Sequence, residues 1–397
     1  MTRTHRNRCC WAIVTLTGAC LTLPAGAESE GGLLVASLGT HNVLRYDVQD
    51  GSFVEEFIRA ADGIDNATGL HYGPAGWLFV SNTVDNTVLR FDGASGDFVD
   101  LFVQAGRLDL PEKMLSDLSG HLLVTSCGNS GCFRFHRDTG SYLGKFPDNA
   151  RLDCPFALAY GPDGNIYVTT DPNEVHRYDA QTGAFIDVFV SSGDGDLWSG
   201  ADLTFGPDGN LYVASSWNSS VLRYDGDSGE FIDTFVPQGS GGLALPIGLT
   251  FGPDGDLYVT SLYGSLVLRY DGVSGDFREV FVPAGSGGLD GPSDLIFMPS
   301  DWLTGDLDRD GDVDADDLGL LLDVYDLADG HPDFDPDCDL DDSGVIDQPD
   351  LGLLLANYGT RKRPGPTPPP GEAPEPIEFA VPPNANLYDL RLLLQSY

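Results

Sequence analysis

Apolar residues in the stretch 31–298 come in short runs, many alternating with polar residues, and Gly, Asp and Pro separate the runs. In one regular stretch the runs are Ile247–Phe251, LYVTS, VLRYD and FREVFV, and the separators are PDG and DGVSG. β-Branched and aromatic residues favour strands, whereas Gly and Asp accept the backbone angles of tight turns. A helical period of 3.6 is absent from this stretch, so the pattern predicts four short strands.

The same pattern recurs along the chain. Equivalent positions are 44, 44, 45 and 46 residues apart, at Gly73, Asp117, Gly161, Gly206 and Gly252, and an earlier copy begins at Gly31, which makes six. Every copy has an arginine in its third strand (Arg45, Arg90, Arg134, Arg177, Arg223, Arg269) and a phenylalanine in its fourth (Phe57, Phe102, Phe146, Phe189, Phe235, Phe281). Four strands per roughly 40 to 50 residues is typical of a propeller blade. The sequence therefore predicts a mainly β fold, a six-bladed β-propeller over residues 28–300.

The two ends of the repeat complement each other. The first copy lacks its opening strand, and the last copy is followed by an unpartnered one, Ser293–Met298. Pairing these segments leaves no open sheet edge between the first and last blades. The sequence thus predicts a closed ring rather than a linear stack.

The phrases LTFGPDGNLYVASS and GLTFGPDGDLYVTS carry a family resemblance. They resemble NHL-type propellers and, more loosely, the six-bladed streptogramin lyase and gluconolactonase families. The sequence has no match to the metal-binding Glu, Asn and Asp of the lactonases or to the catalytic His positions of the lyases. A shared fold does not carry an activity, so the resemblance implies architecture only. The sequence also lacks a GxSxG elbow, an HExxH helix and a phosphate loop.

Residues 1–27 have the layout of a secretory signal peptide: Arg3, Arg6 and Arg8, an apolar run from Trp11 to Leu23, and Ala25-Gly26-Ala27. We expect cleavage after Ala27 and an exported, bacterial-type protein, secreted or at the cell surface, with no transmembrane segment in the mature chain. Cleavage removes three arginines and no acid, so the formal charge changes from −40 to −43. Such a balance argues against nucleic acid as a partner and favours divalent cations.

Four of the seven cysteines lie beyond the signal: Cys127, Cys132, Cys154 and Cys338. Cys127 and Cys132 flank the turn between the second and third strands of the third copy. In an exported protein they are candidates for a hairpin disulfide. A metal pair is the alternative, but neither a His nor a third Cys accompanies them at ligand spacing.

After Trp302 the repeat stops and the chain becomes Asp-rich. Two twelve-residue stretches match the EF-hand calcium loop at every liganding position. In the first the ligands are Asp306, Asp308, Asp310, Asp312, Asp314 and Asp317, and in the second Asp339, Asp341, Ser343, Val345, Asp347 and Asp350. Asp312 and Val345 offer backbone carbonyls, and Gly311 and Gly344 provide the sharp turn at position six. A solvated acidic linker is the alternative. We expect two Ca²⁺ ions and a module that folds with metal.

Each loop runs into a similar apolar phrase, DLGLLL, at Asp317 and at Asp350. This duplicated loop and helix, with Asp at the closing position, resembles the dockerin domain. The resemblance implies a small all-α, two-calcium domain over residues 303–360 and a cohesin-like protein as its partner. Loop positions ten and eleven, Ala315-Asp316 and Gln348-Pro349, depart from the small hydroxylated residues common in cellulosomal dockerins. A Pro-rich linker at 361–376 and a tail of unknown role at 377–397 follow.

Function is expected where the repeat is broken, because residues present in every copy serve packing and turns. Loops at one mouth of the propeller channel carry His41, Asp85, Asp171, Glu174, Trp217 and Tyr263, and Asn66, Glu112, Asp202 and Asp294 lie near the starts of the innermost strands. Glu112, Asp202 and Asp294 are the catalytic or metal-binding candidates. A solvated acidic rim is the alternative. Trp217 and Tyr263 are ligand-binding candidates.

Two functions remain open at this point. The first is a non-catalytic exported binding or scaffold protein, whose propeller binds a protein or glycan and whose calcium module attaches it. The second is a propeller enzyme, a polysaccharide-degrading hydrolase or lyase or a lactonase-like protein, tethered by the dockerin-like module.

Overall fold

The computed structural model describes residues 31–73, 76–146 and 152–299, and, nearer the C-terminus, residues 315–325, 327–328, 338, 345–346, 351 and 354–355. In these residues, no helix has the length and apolar character needed to cross a membrane. The expected signal peptide, the linker at 361–376 and the tail at 377–397 lie outside the described residues.

The propeller residues form six four-stranded antiparallel sheets. Blade 1 consists of β1 (Gly32–Ser37), β2 (Asn42–Asp47), β3 (Phe53–Ile58) and β24 (Pro292–Phe297). Blade 2 consists of β4 (Ala67–Tyr72), β5 (Trp77–Asn82), β6 (Thr87–Asp92) and β7 (Phe98–Val103). Blade 3 consists of β8 (Pro111–Ser116), β9 (Leu122–Ser126), β10 (Gly131–Phe135) and β11 (Tyr142–Lys145).

The other three blades follow the same order. Blade 4 consists of β12 (Leu158–Tyr160), β13 (Ile166–Thr170), β14 (Glu174–Tyr178) and β15 (Phe185–Val190). Blade 5 consists of β16 (Gly200–Phe205), β17 (Leu211–Ser215), β18 (Ser220–Tyr224) and β19 (Phe231–Val236). Blade 6 consists of β20 (Pro246–Phe251), β21 (Leu257–Ser261), β22 (Leu266–Tyr270) and β23 (Phe277–Val282).

The ring closes as the sequence predicts. β24 pairs antiparallel with β1, with Leu295 opposite Val35 and Phe297 opposite Leu33, so the last strand becomes the innermost strand of blade 1. The innermost strands β24, β4, β8, β12, β16 and β20 contact one another in cyclic order around the axis. The prediction of a six-bladed β-propeller is therefore confirmed for the described residues.

Aromatic residues of the repeat hold neighbouring blades together. Tyr212 on β17 packs edge-to-face against Phe235 of its own blade and against Phe251 of blade 6, with centroid distances of 4.8 and 5.0 Å. Tyr167 and Tyr258 make the same pair of contacts at the next junctions along the ring. Edge-to-face pairs add roughly 1 kcal/mol each to the gain from area burial. The core accordingly lies between the blades.

The repeated arginines do not mainly pack blade against blade, although Arg90 does donate to the carbonyl oxygen of Asp138 in blade 3 at 3.2 Å. Arg223 instead forms a bidentate pair with Asp233 on the outer strand of its own blade and lies over the ring of Phe235. Arg90 and Arg177 do the same with Asp100 and Asp187. The fork of the guanidinium matches a carboxylate on the adjacent strand, which holds the exposed fourth strand in place. The neighbouring aspartates accept turn N–H groups as predicted, Asp225 those of residues 227 and 228.

The predicted Cys127–Cys132 disulfide is wrong, because Cys127 is bonded to Cys154. In the hairpin of blade 3 the last strand pair is Ser126 with Gly131, and Cys132 lies opposite Thr125. Cys127 is thus in the turn, whereas the side chain of Cys132 is buried among Ile166, Val168 and Tyr178. Cys154 belongs to the connection into blade 4, so the bond ties two blades together.

Among the described residues near the C-terminus there is one helix, α1 (Ala315–Asp323), which begins within the last three residues of the first predicted calcium loop. Leu318, Leu321 and Leu322 of this helix pack with Cys338, Ile346, Leu351 and Leu354 in a small apolar cluster. Ala328 and Val345 form an isolated antiparallel bridge. The side chains of the predicted calcium-binding aspartates and of Ser343 lie outside the described residues.

Candidate ligand-binding groove and channel cluster

The innermost strands bring two of the predicted acids together around a lysine. The ammonium of Lys113 on β8 contacts Oδ2 of Asp202 on β16 at 3.2 Å and also binds Oδ1 of Asp294 on β24. These strands are separated from one another by one blade each, so the lysine spans the inside of the ring. All three side chains are buried. A cation that the sequence prediction missed therefore neutralises part of the acidic channel.

The carboxylates also bind backbone on the strands between them. Oδ2 of Asp202 accepts the N–H of Leu249 at 3.0 Å, and Oδ2 of Asp294 accepts the N–H of Leu70 at 2.7 Å. Burial raises the pKa of Asp202 to about 6, while Lys113 opposes that rise and Asp294 adds to it. Burial alone would lower the pKa of Lys113, but the two carboxylates outweigh it and raise that pKa. Charge-assisted hydrogen bonds therefore hold Lys113, Asp202 and Asp294 in place.

Small residues make room for this cluster. The third positions of five innermost strands are, in ring order, Asp294, Gly69, Lys113, Asp202 and Gly248, and Ala157, directly before β12, takes the corresponding place in blade 4. Charged side chains alternate with Gly or Ala. A Cβ at Gly69 would lie 2.4 Å from the carbonyl oxygen of Glu112, and one at Gly248 would lie 3.0 Å from the Cα of Asp294. The pattern allows the strands to approach while the long side chains cross the axis.

Glu112 is the third acid of the predicted set, and it stays apart from this cluster. Its carboxylate has no hydrogen-bond or ion-pair partner among the described residues, and its side chain is half-buried. Burial raises the pKa of Glu112 to about 7, with Lys113 opposing the rise. Among the described residues, no group of three or more His, Cys, Asp or Glu side chains is arranged to hold a metal ion.

Several predicted rim residues have a repeated structural role. Nδ1 of His41, in the β1–β2 turn, accepts the N–H of Asn66 at the entrance to blade 2. The same link between a turn and the next blade recurs with Asn86, Asn173, Ser219 and Ser265 as acceptors, at 2.7 to 3.2 Å. Acceptors and donors alike lie in the left-handed region, with φ near +60°. His41 and Asn66 therefore form one of the repeated hydrogen bonds that link neighbouring blades.

The remaining rim acids are dispersed. Asp85 accepts from the side chain of Asn82 at 3.3 Å, and Glu174 binds Nε2 of His176 at 2.8 Å. Asp171 lies exposed beside the β13–β14 turn. These residues do not converge with Glu112, Asp202 or Asp294 through any described contact. The acids predicted to surround one mouth of the channel thus do not form a single site. Asp85 and Glu174 each have a local partner instead.

A groove of about 610 Å³ lies where blades 4 and 5 meet. We call this the blade 5 groove; it is lined by Asn173, Gly193, Gly195, Asp196, Leu197, Trp198, Asn218, Ser220, Leu222, Thr234 and Gln238. Trp198 is 56 % exposed, and its ring lies 6.5 Å from that of Trp217, which is 58 % exposed. The lining therefore combines one solvent-facing indole ring, that of Trp198, with amide, hydroxyl and carboxylate groups, and the indole ring of Trp217 lies beside it.

The chain itself provides a comparison for this groove. The connections before β16, β20 and β24 form the same short 3₁₀ turn, at 194–196, 240–242 and 286–288. Blade 5 has Asp196 and Trp198 where blade 6 has Gly242 and Ala244, and Trp217 and Asn218 where blade 6 has Tyr263 and Gly264. The backbone is repeated while the side chains differ. At the blade 5 groove the sequence therefore departs from the repeat, and polar and aromatic side chains replace smaller ones.

Sequence reasoning found Trp217 but missed Trp198. Trp198 lies in a connection between blades, and the structure brings it next to Trp217, whose backbone N–H donates to the carbonyl oxygen of Trp198 at 3.3 Å. Aligning the three near-identical connections could have found it, because Trp198 replaces Ala244 and Asp290. Tyr263, the other predicted ligand residue, is 72 % exposed at the equivalent turn of blade 6 and does not line the groove.

The described fold and groove define this part of the chain as a six-bladed β-propeller with a candidate ligand site between two blades. It is similar to a chain of the nidogen/laminin complex, with a TM-score of 0.56 and 15% identity, covering 68% of this chain and 99% of that chain. A Bacteroides caccae protein of unknown function gives 0.52 and 16%, covering 68% and 99%. Virginiamycin B lyase from Staphylococcus aureus gives 0.41 and 18%, covering 53% and 68%. No family model and no curated protein matches the sequence.

Proposed function

We propose that this is an exported binding protein whose propeller recognises a glycan in the blade 5 groove. The observation that carries the proposal is the exposed pair Trp198 and Trp217 beside a groove lined by Asn173, Asn218 and Gln238. Sugar rings present flat C–H surfaces that pack on indole faces. Their hydroxyls pair with amide groups, which both donate and accept hydrogen bonds. Concave surfaces that combine aromatic side chains with a few placed polar groups are typical of ligand sites.

The test is to change Trp198 and Trp217 together to Ala and to measure binding to a panel of polysaccharides by affinity electrophoresis or calorimetry. We expect at least a tenfold loss of affinity for the bound glycan, because such aromatic anchors are each worth about 2 kcal/mol or more at binding surfaces. Val84→Ala is the matched control, since Val84 occupies the position of Trp217 in blade 2 and is also exposed. Unchanged affinity in the double variant would reject the groove as the site.

We infer further that the C-terminal region binds two Ca²⁺ ions and attaches the protein through a cohesin-like partner. This inference is supported by the two sequence loops, by the start of α1 within the last three residues of the first loop, and by the apolar cluster of residues from both halves. Removal of Ca²⁺ with EDTA should lower the melting temperature of this region and leave the propeller transition unchanged. Calorimetry that detects no Ca²⁺ uptake would exclude the module.

A second candidate function is an enzyme that acts on a polysaccharide or a small lactone in the channel. It is favoured by Glu112, whose carboxyl has no partner among the described residues and, with a pKa near 7, is suited to general acid–base work. Turnover of a glycan or lactone that is lost in Glu112→Gln would select this candidate. Full activity in that variant would remove Glu112 from consideration.

A further inference from the structure

The blade 5 groove has a charge asymmetry that bears on which glycan it accepts. None of its lining residues is Lys, Arg or His, whereas Asp196 lines it. The side chain of Asp196 is exposed, and its carboxylate has no hydrogen-bond or ion-pair partner among the described residues. The groove therefore offers an uncompensated negative charge to whatever occupies it.

The backbone that carries the side chain of Asp196 is held at the groove by its surroundings. Its backbone carbonyl accepts a hydrogen bond from the side-chain amide of Asn218, another lining residue. Asp196 adopts φ +60°, in the region that favours glycine, and blade 6 has Gly242 at the equivalent position. Asp tolerates this conformation better than most residues, but glycine adopts it at lower cost. The fold thus needs no side chain here, and the one present faces a ligand groove.

We propose that the blade 5 groove prefers glycans that carry free amino groups, such as a deacetylated amino-sugar polymer, over neutral or acidic glycans. This inference rests on the proposed glycan-binding function. In it, the indole rings of Trp198 and Trp217 hold the sugar rings, and Asp196 pairs with a ligand ammonium. An acidic glycan meets repulsion both from Asp196 and from the net negative charge of the whole protein.

The overall charge alone also attracts cations, so the experiment has to separate the local effect from the global one. Asp196→Asn removes the groove charge. Asp227→Asn removes one charge from an exposed turn at the opposite end of β18, where its carboxylate has no described partner. The two variants have the same net charge, and only the first changes the groove.

Binding of three six-sugar oligomers is measured by calorimetry at pH 5.5 and low salt: β-1,4-linked glucosamine, its N-acetylated counterpart and a galacturonic acid oligomer. The wild-type protein should bind the amino oligomer about fivefold more tightly than the acetylated one. One ion pair at a separation of about 4 Å in water contributes about 1 kcal/mol, which corresponds to a fivefold change in affinity. Asp196→Asn should reduce the ratio to about one, and Asp227→Asn should retain it.

A fivefold preference that survives in Asp196→Asn would overturn the proposal, because the preference would then come from the overall charge. An equal affinity of the wild-type protein for the amino and acetylated oligomers, or for the amino and acidic ones, would overturn it as well. By contrast, failure to bind any oligomer, or binding unaffected by Trp198→Ala with Trp217→Ala, would refute the proposed glycan site itself.

Discussion

At the residue scale, the position of a charge along an innermost strand decides its role. Asp202 and Asp294 occupy third positions and meet Lys113 across the axis, whereas Glu112, one residue before Lys113, has no described partner. The sequence alone located the three acids near the strand starts correctly. It could not reveal their lysine partner, because contact between Lys113 and Asp202 depends on ring closure and on the alternating Gly and Ala positions.

Replacement of Lys113 by Met should destabilise the propeller by about 3 to 5 kcal/mol at pH 7, because it leaves two buried carboxylates without their cation. Denaturant unfolding followed by tryptophan fluorescence measures the loss. Lys145→Met, which removes an exposed lysine from β11, is the control for net charge. Adding Asp202→Asn and Asp294→Asn to the Lys113 variant should recover part of the stability. A loss below about 1 kcal/mol would contradict the assigned ion pairs.

Glu112 should make the propeller less stable as the pH rises. Its pKa is raised to about 7 in the fold, above the ordinary value of 4.5, so the folded state binds more protons between these values. Its contribution is therefore fully present below about pH 4.5 and is lost as the pH rises through 7. Glu112→Gln should be more stable than the wild-type protein by about 3 kcal/mol at pH 8 and much less so at pH 5. Glu230→Gln, at an exposed turn, is the control; an equal effect at both pH values would refute the raised pKa.

At the element scale, the repeated pattern predicted the strands accurately because apolar strand residues are buried between blades, on both faces in β1, β9, β13, β17 and β21. The predicted Ile247–Phe251 and LYVTS correspond to β20 (Pro246–Phe251) and β21 (Leu257–Ser261). Connections between blades were less predictable, since turns give no periodic signal. Cys154 and Trp198 both lie in such connections. Their partners, Cys127 and Trp217, are on turns that come close only when the blades are assembled.

The blade-spanning disulfide should stabilise the propeller. Cys127 and Cys154 are 27 residues apart, and closing a loop of that size is worth about 3 kcal/mol. Peptide mapping without reduction should therefore recover Cys127 bonded to Cys154. Cys127→Ser with Cys154→Ser should lower stability by about that amount. Cys132→Ser is the control, because Cys132 is a free buried thiol that should resist labelling until the protein unfolds. Recovery of a Cys127–Cys132 peptide would contradict the structure.

At the scale of the whole molecule, the ring depends on a strand contributed from the far end of the repeat. β24 supplies blade 1 with its innermost strand and supplies the channel cluster with Asp294. Ser293 Oγ also donates to the carbonyl of Ala67 in blade 2 at 2.6 Å, so this single strand links two blades. The sequence predicted this closing strand because the first copy of the repeat has three strands where the others have four, and one strand is left over after the last copy.

Ending the chain after Gly291 should therefore abolish cooperative unfolding of the propeller, whereas ending it after residue 300 should leave the propeller transition intact. The shorter chain loses the buried Leu295 and leaves the edge of β1 unpaired, which also invites aggregation. Circular dichroism melting and size-exclusion chromatography of both chains provide the comparison. A shorter chain that melts as cooperatively as the longer one would show that the ring is stable without β24. A longer chain that fails to fold would show instead that the propeller needs the region after residue 300, and so the pair of truncations separates closure of the ring from support by the C-terminal region.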